Sequence, residues 1–183
     1  MEVLYICGSP RRNGNTVRLL AIMRGALPGD LLRVMDYRID PCRSCWTCVD
    51  RGRCLLDDDF TRVIWPRMAA CHALVIGCPV YFNNVPSQTK ALIDRTWAYR
   101  GELRNTIGGA VVVGRRYGAE SAITALNAFF LKHEMIPANR GVCGEAFEAG
   151  EIEQDQEALV AALGLAERIR ALGALLGVDA GKD

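Results

Sequence analysis

The chain has 183 residues, of which 50% are hydrophobic and 23% charged. At roughly 150 residues per domain, this length fits one domain over residues 1–183, with enough apolar content for a core. Twenty-two Lys and Arg against 21 Asp and Glu leave a formal charge of +1, without the basic surplus of a nucleic-acid surface. No apolar run approaches the ~20 residues of a membrane span. The opening MEVLYICGSP has neither the basic leader nor the apolar stretch of a signal peptide. The expected setting is the cytoplasm, with no nucleic-acid and no membrane partner.

Residues 3–7 (VLYIC) are an apolar run rich in strand formers, as in a strand covered on both faces. Residues 8–15 form a turn-rich loop. Thr16, Leu20, Met23 and Leu27 then recur at helical spacing until Pro28-Gly29 stops the helix. A second strand is expected over 31–35, followed at once by a cysteine-rich segment at about 41–56. Asp57, Asp58 and Asp59 suit the start of a helix running towards Cys71, and Pro66 should kink or shorten it. Residues 73–77 repeat the buried-strand pattern, and a helix over 88–99, a strand over 107–113 and a helix over 119–133 follow. Val142-Cys143 is the candidate for the last strand. Leu159, Leu163, Ala166, Ile169, Leu172 and Leu176 outline an amphipathic helix over 152–176. The final GVDAGKD is polar and expected to fray. Strand and helix thus alternate about five times, which predicts a doubly wound, five-stranded parallel sheet with helices on both faces.

In such sheets the ligand sits beyond the C-terminal strand ends, near the switch point. Gly8-Ser9-Pro10-Arg11-Arg12-Asn13-Gly14-Asn15-Thr16 occupies that place. Backbone N–H groups and the positive end of a helix suit a phosphate. Ser9, Asn15 and Thr16 can add hydrogen bonds, and Arg11 adds charge. G-x-G-x-x-G is ruled out because Ser9-Pro10 follows Gly8, and a nucleotide P-loop is ruled out by the lack of a lysine here.

Cys42, Cys45, Cys48 and Cys54 form C-x2-C-x2-C-x5-C, half of the eight cysteines within thirteen residues. A secreted disulfide scaffold fits poorly in a chain of this length without an export signal. Three thiolates at this spacing can wrap a cuboidal cluster and the fourth can close the site, as in the bacterial ferredoxin run. Structural zinc also accepts four thiolates, usually from two separate C-x2-C knuckles. Thiol redox chemistry is the third reading. Cys7, Cys71, Cys78 and Cys143 read as small packing residues. Neither His72 nor His133 has a catalytic neighbourhood in the sequence, and no catalytic residue is assigned.

GSPRRNGNT after the first strand and GCPVYFNNVPSQTKALIDR after the third resemble the flavodoxin-like flavoproteins, specifically the NADPH-dependent FMN reductase group. That resemblance implies FMN, with Ser9, Arg11, Asn13, Asn15 and Thr16 at its phosphate. It places Pro79, Tyr81, Phe82, Asn83 and Asn84 along the isoalloxazine ring, where aromatics pack on a flat face. The chain departs from the group's usual Gly and Ser at Asn83 and Pro86. The loop over 114–121 brings Arg115 or Arg116 near the ring, to stabilise negative charge on reduced flavin or meet an anionic donor.

With the cysteine motif after the second strand, the chain resembles the iron–sulfur flavoprotein family from the first strand through the fourth. The resemblance implies one FMN and one 4Fe-4S cluster per subunit, in a homodimer or homotetramer. There the cluster of one subunit lies near the FMN of its neighbour, and ferredoxin or NAD(P)H supplies electrons. Arg38, Arg43, Arg51 and Arg53 make the cluster region basic, suited to offset cluster charge and to attract an acidic ferredoxin. Trp46 is placed to shield the cluster or pack across an interface. The expected function is an FMN-dependent oxidoreductase passing electrons between FMN and the cluster. Two alternatives stand beside it: an NAD(P)H-dependent FMN or quinone reductase with structural zinc, and a redox sensor acting through protein contacts.

Overall fold

The computed structural model describes residues 1–178. Along β1 (Val3–Cys7), Leu4 and Ile6 alternate with Val3, Tyr5 and Cys7, and both sets are buried. A strand apolar on both faces needs a layer of helices on each side and neighbours at both edges. β1 accordingly lies between β2 (Asp30–Arg33) and β3 (Ala73–Pro79), and β4 (Ile107–Gly114) pairs with β3, all in parallel. The fifth strand position is divided. β5 (Ile136–Pro137) pairs with Ile107 and Gly108 of β4, and β6 (Val142–Glu145) pairs with Val111, Val112, Val113 and Gly114. Pro137 has no N–H for the ladder, and Gly141 at φ 125° turns the chain back into it. The five expected positions are therefore present, the last as two short pieces.

On one face α1 (Asn15–Ala26) and α6 (Gln156–Leu175) pack Leu19, Leu20, Leu165 and Ile169 against Tyr5, Val75 and Val111. On the other, α3 (Trp65–Ala70), α4 (Ser87–Arg95) and α5 (Ala119–Lys132) pack Met68, Leu92, Leu126 and Phe130 against Leu4, Ile6, Leu74 and Ile76. The short α2 (Thr47–Arg51) stands apart in the cysteine segment.

Pro66 does not end its helix. A widened turn over Phe60–Ile64 precedes α3, with the Trp65 N–H donating to the Phe60 carbonyl, so Pro66 falls in the first turn of α3. The last helix is preceded by a tight turn at Glu151–Gln154, and Asp155 caps it by accepting from the Ala158 N–H at 2.9 Å. The expected fraying of the C-terminus falls, from residue 179 on, outside the described residues. Among the described residues no helix is long and apolar enough to cross a membrane.

The strand order β2-β1-β3-β4 reverses direction between β1 and β3. The loops leaving these two strands therefore open side by side at the switch point of the sheet.

Candidate functional site

The Gly8 N–H donates to the Gly77 carbonyl at 2.7 Å, so β1 and β3 stay paired up to the start of the first loop. A Cβ at residue 8 would stand 2.0 Å from Thr89 Oγ1. Only glycine lets the loop lie this close to α4. Thr89 Oγ1 is itself buried without a protein partner. Ser9 is buried, its Oγ accepting from the Arg11 N–H at 3.3 Å, and the Gly14 N–H donates to the Arg11 carbonyl at 3.4 Å.

α1 then begins with no side-chain cap and no acidic residue in its first turn. Its leading N–H groups and positive dipole end are left for an anion, in contrast to the Asp155-capped α6. Ser9, Arg11 and Asn13 lie in the loop that leads into this end, and Thr16 lies in its first turn. The Asn15 side chain has other partners: Nδ2 donates to the Glu148 carbonyl and Oδ1 accepts from the Gly150 N–H, each at 2.8 Å. It ties the first loop to the one after β6 and leaves its backbone N–H at the helix end. Arg33, which belongs to no motif in the sequence, joins this end from β2: its Nη2 donates to the Pro10 carbonyl at 3.5 Å while its buried Nε lacks a protein partner. The donor set fits a phosphate.

Beyond Pro79, the Tyr81 N–H donates to the Asn84 carbonyl at 2.8 Å and the Asn84 N–H to the Tyr81 carbonyl at 3.0 Å. Phe82 and Asn83 fill the two central places of this tight turn at φ 47° and 58°, the left-handed geometry of a type I′ turn. For phenylalanine that conformation costs about 1–3 kcal/mol, and such strain tends to sit at functional sites. The Phe82 ring is fully exposed.

Gly118 rests on the same turn, since a Cβ there would lie 2.6 Å from Asn83 Cα. The third loop thus leans on the second. Arg115 is held with its guanidinium 3.6 Å from the Phe147 ring, a cation–π contact with the loop after β6. Tyr81, Phe82, Tyr117 and Phe147 all present exposed rings at this mouth, enough apolar surface to receive a flat ring. Phe147 carried no signal in the sequence, because it follows a four-residue strand and belongs to no motif.

The cysteine segment runs over the outer faces of α4 and α5. Left-handed residues Ser44 and Trp46 (φ 51° and 59°) flank Cys45, and Gly52 at φ 63° ends α2. The Cys45 thiol lies below its ordinary pKa, chiefly through hydrogen bonding to Thr47 with a smaller contribution from Arg43. Trp46 packs edge-on against Trp97 at 6.4 Å. Arg38 and Arg43 both reach Asp40, at 3.4 and 3.8 Å.

Cys42, Cys45, Cys48 and Cys54 are free thiols lining one cavity of about 770 Å³, together with Trp46, Trp97, Phe129 and Lys132. Among the described residues no three His, Cys, Asp or Glu side chains are gathered at metal-binding distance. The thiols share a wall without being drawn into a closed ligand set. Four soft thiol donors on a wall that also carries Arg43, Arg100 and Lys132 nevertheless fit a negatively charged thiolate-bound centre. His133 lies at the same cavity, its Nε2 bonded to Thr96 Oγ1 at 2.8 Å, and burial pushes its pKa down to about 4. Cys71 and Cys78 are buried, which raises their pKa to about 12 and leaves them protonated. Cys143, expected to pack, is exposed on β6. Asp58 and Arg95, 37 residues apart in the chain and joined by no motif, form a buried ion pair at 2.6 Å.

Fold and mouth together define a flavodoxin-like protein. The Trp repressor binding protein of Bacillus subtilis superposes with a TM-score of 0.71 at 20% identity, over 90% of this chain and 97% of its own. The model of the NADPH-dependent FMN reductase family matches residues 1–148. An iron–sulfur flavoprotein of Methanocaldococcus jannaschii is 34% identical over 92% of this chain and 95% of its own length. One from Archaeoglobus fulgidus is 32% identical over 92% and 94%. The chain belongs to the NADPH-dependent FMN reductase family, among its iron–sulfur flavoproteins, and is an FMN-dependent oxidoreductase.

Proposed function

We infer that the protein, a single domain over residues 1–183, holds FMN at the strand-end mouth and a 4Fe-4S cluster at Cys42, Cys45, Cys48 and Cys54. Electrons would pass between the two. The observation that carries this reading is the placing of all four thiols, none of them in a disulfide, along one cavity. The iron–sulfur names of the relatives support it.

The leading N–H groups of α1, with Ser9, Arg11, Asn13 and Thr16, would bind the phosphate, and Arg33 would brace the loop from behind. Pro79, Tyr81, Phe82, Asn83 and Asn84 would border the ring and exclude water from it. Arg115, steadied on Phe147, would keep positive charge at the rim. Bound FMN exchanges electrons in pairs or singly, and a cluster exchanges them singly.

None of these flavin-loop residues lines the cysteine cavity. This supports transfer between subunits, in which the cysteine wall of one chain meets the mouth of another in a homodimer or homotetramer. Ferredoxin or NAD(P)H would be the donor, and the cytoplasm the setting.

The test is anaerobic purification with iron, sulfide, zinc and FMN measured per chain alongside the visible spectrum. About four irons and four sulfides with one FMN are expected. Zinc with FMN and no sulfide would overturn the cluster and leave a flavin or quinone reductase with a structural metal.

A further inference from the structure

Among the described residues, Arg95 is the largest fully buried side chain. Its Nη1 lies 2.6 Å from Asp58 Oδ2 and its Nη2 3.0 Å from Oδ1, a two-pronged ion pair with side-chain exposures of 0% and 2%. Nη1 also donates to the Asp40 carbonyl at 2.8 Å and Nη2 to the Leu56 carbonyl at 3.3 Å. Asp58 Oδ2 in turn accepts from the Asp40 N–H at 2.9 Å. Asp40 precedes Cys42 and Leu56 follows Cys54, so one guanidinium gathers both ends of the cysteine segment.

The rest of Arg95's surroundings are an aromatic ring and the cysteine cavity. The guanidinium lies 4.8 Å from the Phe60 ring, which covers it. Its Nε is buried with no protein hydrogen-bond acceptor. Arg95 and Cys54 line the same cavity. Cys42 and Cys45 are exposed and Cys48 and Cys54 are half-buried, and of these four it is Cys54 that packs against the core. Cys54 is thus the thiol anchored to the scaffold.

We propose that Arg95 is a positioning residue of the cysteine site, fixing the segment around Cys54 and supplying positive charge to that side of the centre. The proposal rests on the cluster reading above. A buried arginine used only as a staple could be replaced by any group that holds the loop. One that also sets charge must affect the reduction potential, because net charge near a cluster tunes it. Asp58 has the opposite sign, so its removal must act in the opposite direction.

Full-length wild type, R95K, R95Q and D58N are purified anaerobically, with bound FMN reporting that each is folded. Spectroelectrochemistry should give a lower cluster midpoint potential in R95Q and a higher one in D58N. R95K should keep the wild-type potential but lose iron to a chelator at least tenfold faster, because lysine carries the charge without the planar fork. Shifts of R95Q and D58N in the same direction, or no shift in either, would overturn the proposal. So would a wild-type rate of iron loss in R95K, which decides alone if the other two variants fail to fold.

If the wild type holds no iron and sulfide, the cluster reading fails independently. The positioning role is then read on the metal-free chain by iodoacetamide labelling. A several-fold rise in the Cys54-to-Cys45 labelling ratio in R95K supports it, and an unchanged ratio refutes it.

Discussion

At the strand-end mouth, the loops begin where a sheet ladder ends. Gly8 still donates to Gly77, and the chain enters α1 within a few residues. The cysteine segment has no ladder beneath it. Between Tyr37 and Asp59 its regular structure is the five-residue α2, and its ends meet on Arg95, a residue from α4. The mouth takes its shape from backbone geometry that the sheet imposes. The cysteine segment takes its shape from one buried ion pair and from left-handed residues around Cys45. The first arrangement is local and repeated by every sheet of this topology. The second depends on side chains that lie far apart in sequence.

The sharpest way to separate the two regions is to remove a thiol. Cys48→Ala should abolish iron and sulfide incorporation while leaving FMN near one per chain, measured by metal analysis and flavin absorbance. Concerted loss of both would show that the regions are built together.

Asp58→Ala leaves the Arg95 guanidinium buried without its counter-ion, which should cost about 3–5 kcal/mol. Chemical denaturation reads that loss.

The cavity floor adds a dependence on pH. His133 is held neutral in the folded protein, its pKa lowered by burial from 6.5 to about 4. Above pH 6.5 neither state binds the proton. As pH falls towards 4 the unfolded chain binds it and the folded protein does not, so stability drops, by up to about 3 kcal/mol. His133→Gln should flatten the stability curve across that window.

Gly8→Ala is expected to have the smallest effect on stability, about 1–3 kcal/mol from overpacking against Thr89. It should weaken FMN binding, measured by fluorescence titration, without changing iron content. A loss of iron instead would remove the distinction drawn between the two regions.

Much of the mouth was legible because its signals are short-range. The apolar run before Gly8, the turn-rich loop that opens into α1 and the Pro79–Asn84 stretch are each made of residues close together in the chain. Thr89, Arg33 and Phe147 were not legible, because they reach the mouth from α4, β2 and the loop after β6. Asn15 shows how a correct placement can hide a different use: it sits at the helix start, but its amide bonds residues 148 and 150. β5 escaped notice because two residues have no period. Pro66 read as a breaker, yet the widened turn before it removes the need for its missing N–H.

The alternation of strands and helices, the turn-rich loop after β1 and the spacing of the four cysteines were set by the sequence alone. These are properties of neighbouring residues, set by side-chain alternation, dihedral preference and covalent distance along the chain. The tertiary structure alone decided that Asp58 would be a buried counter-ion as well as a helix-start residue, that Arg95 would join Asp40 to Leu56, and that Arg115 would settle on Phe147. Those choices follow from desolvation. A charge taken out of water must find its partner wherever the fold brings one, and that meeting is not written in any local stretch of sequence.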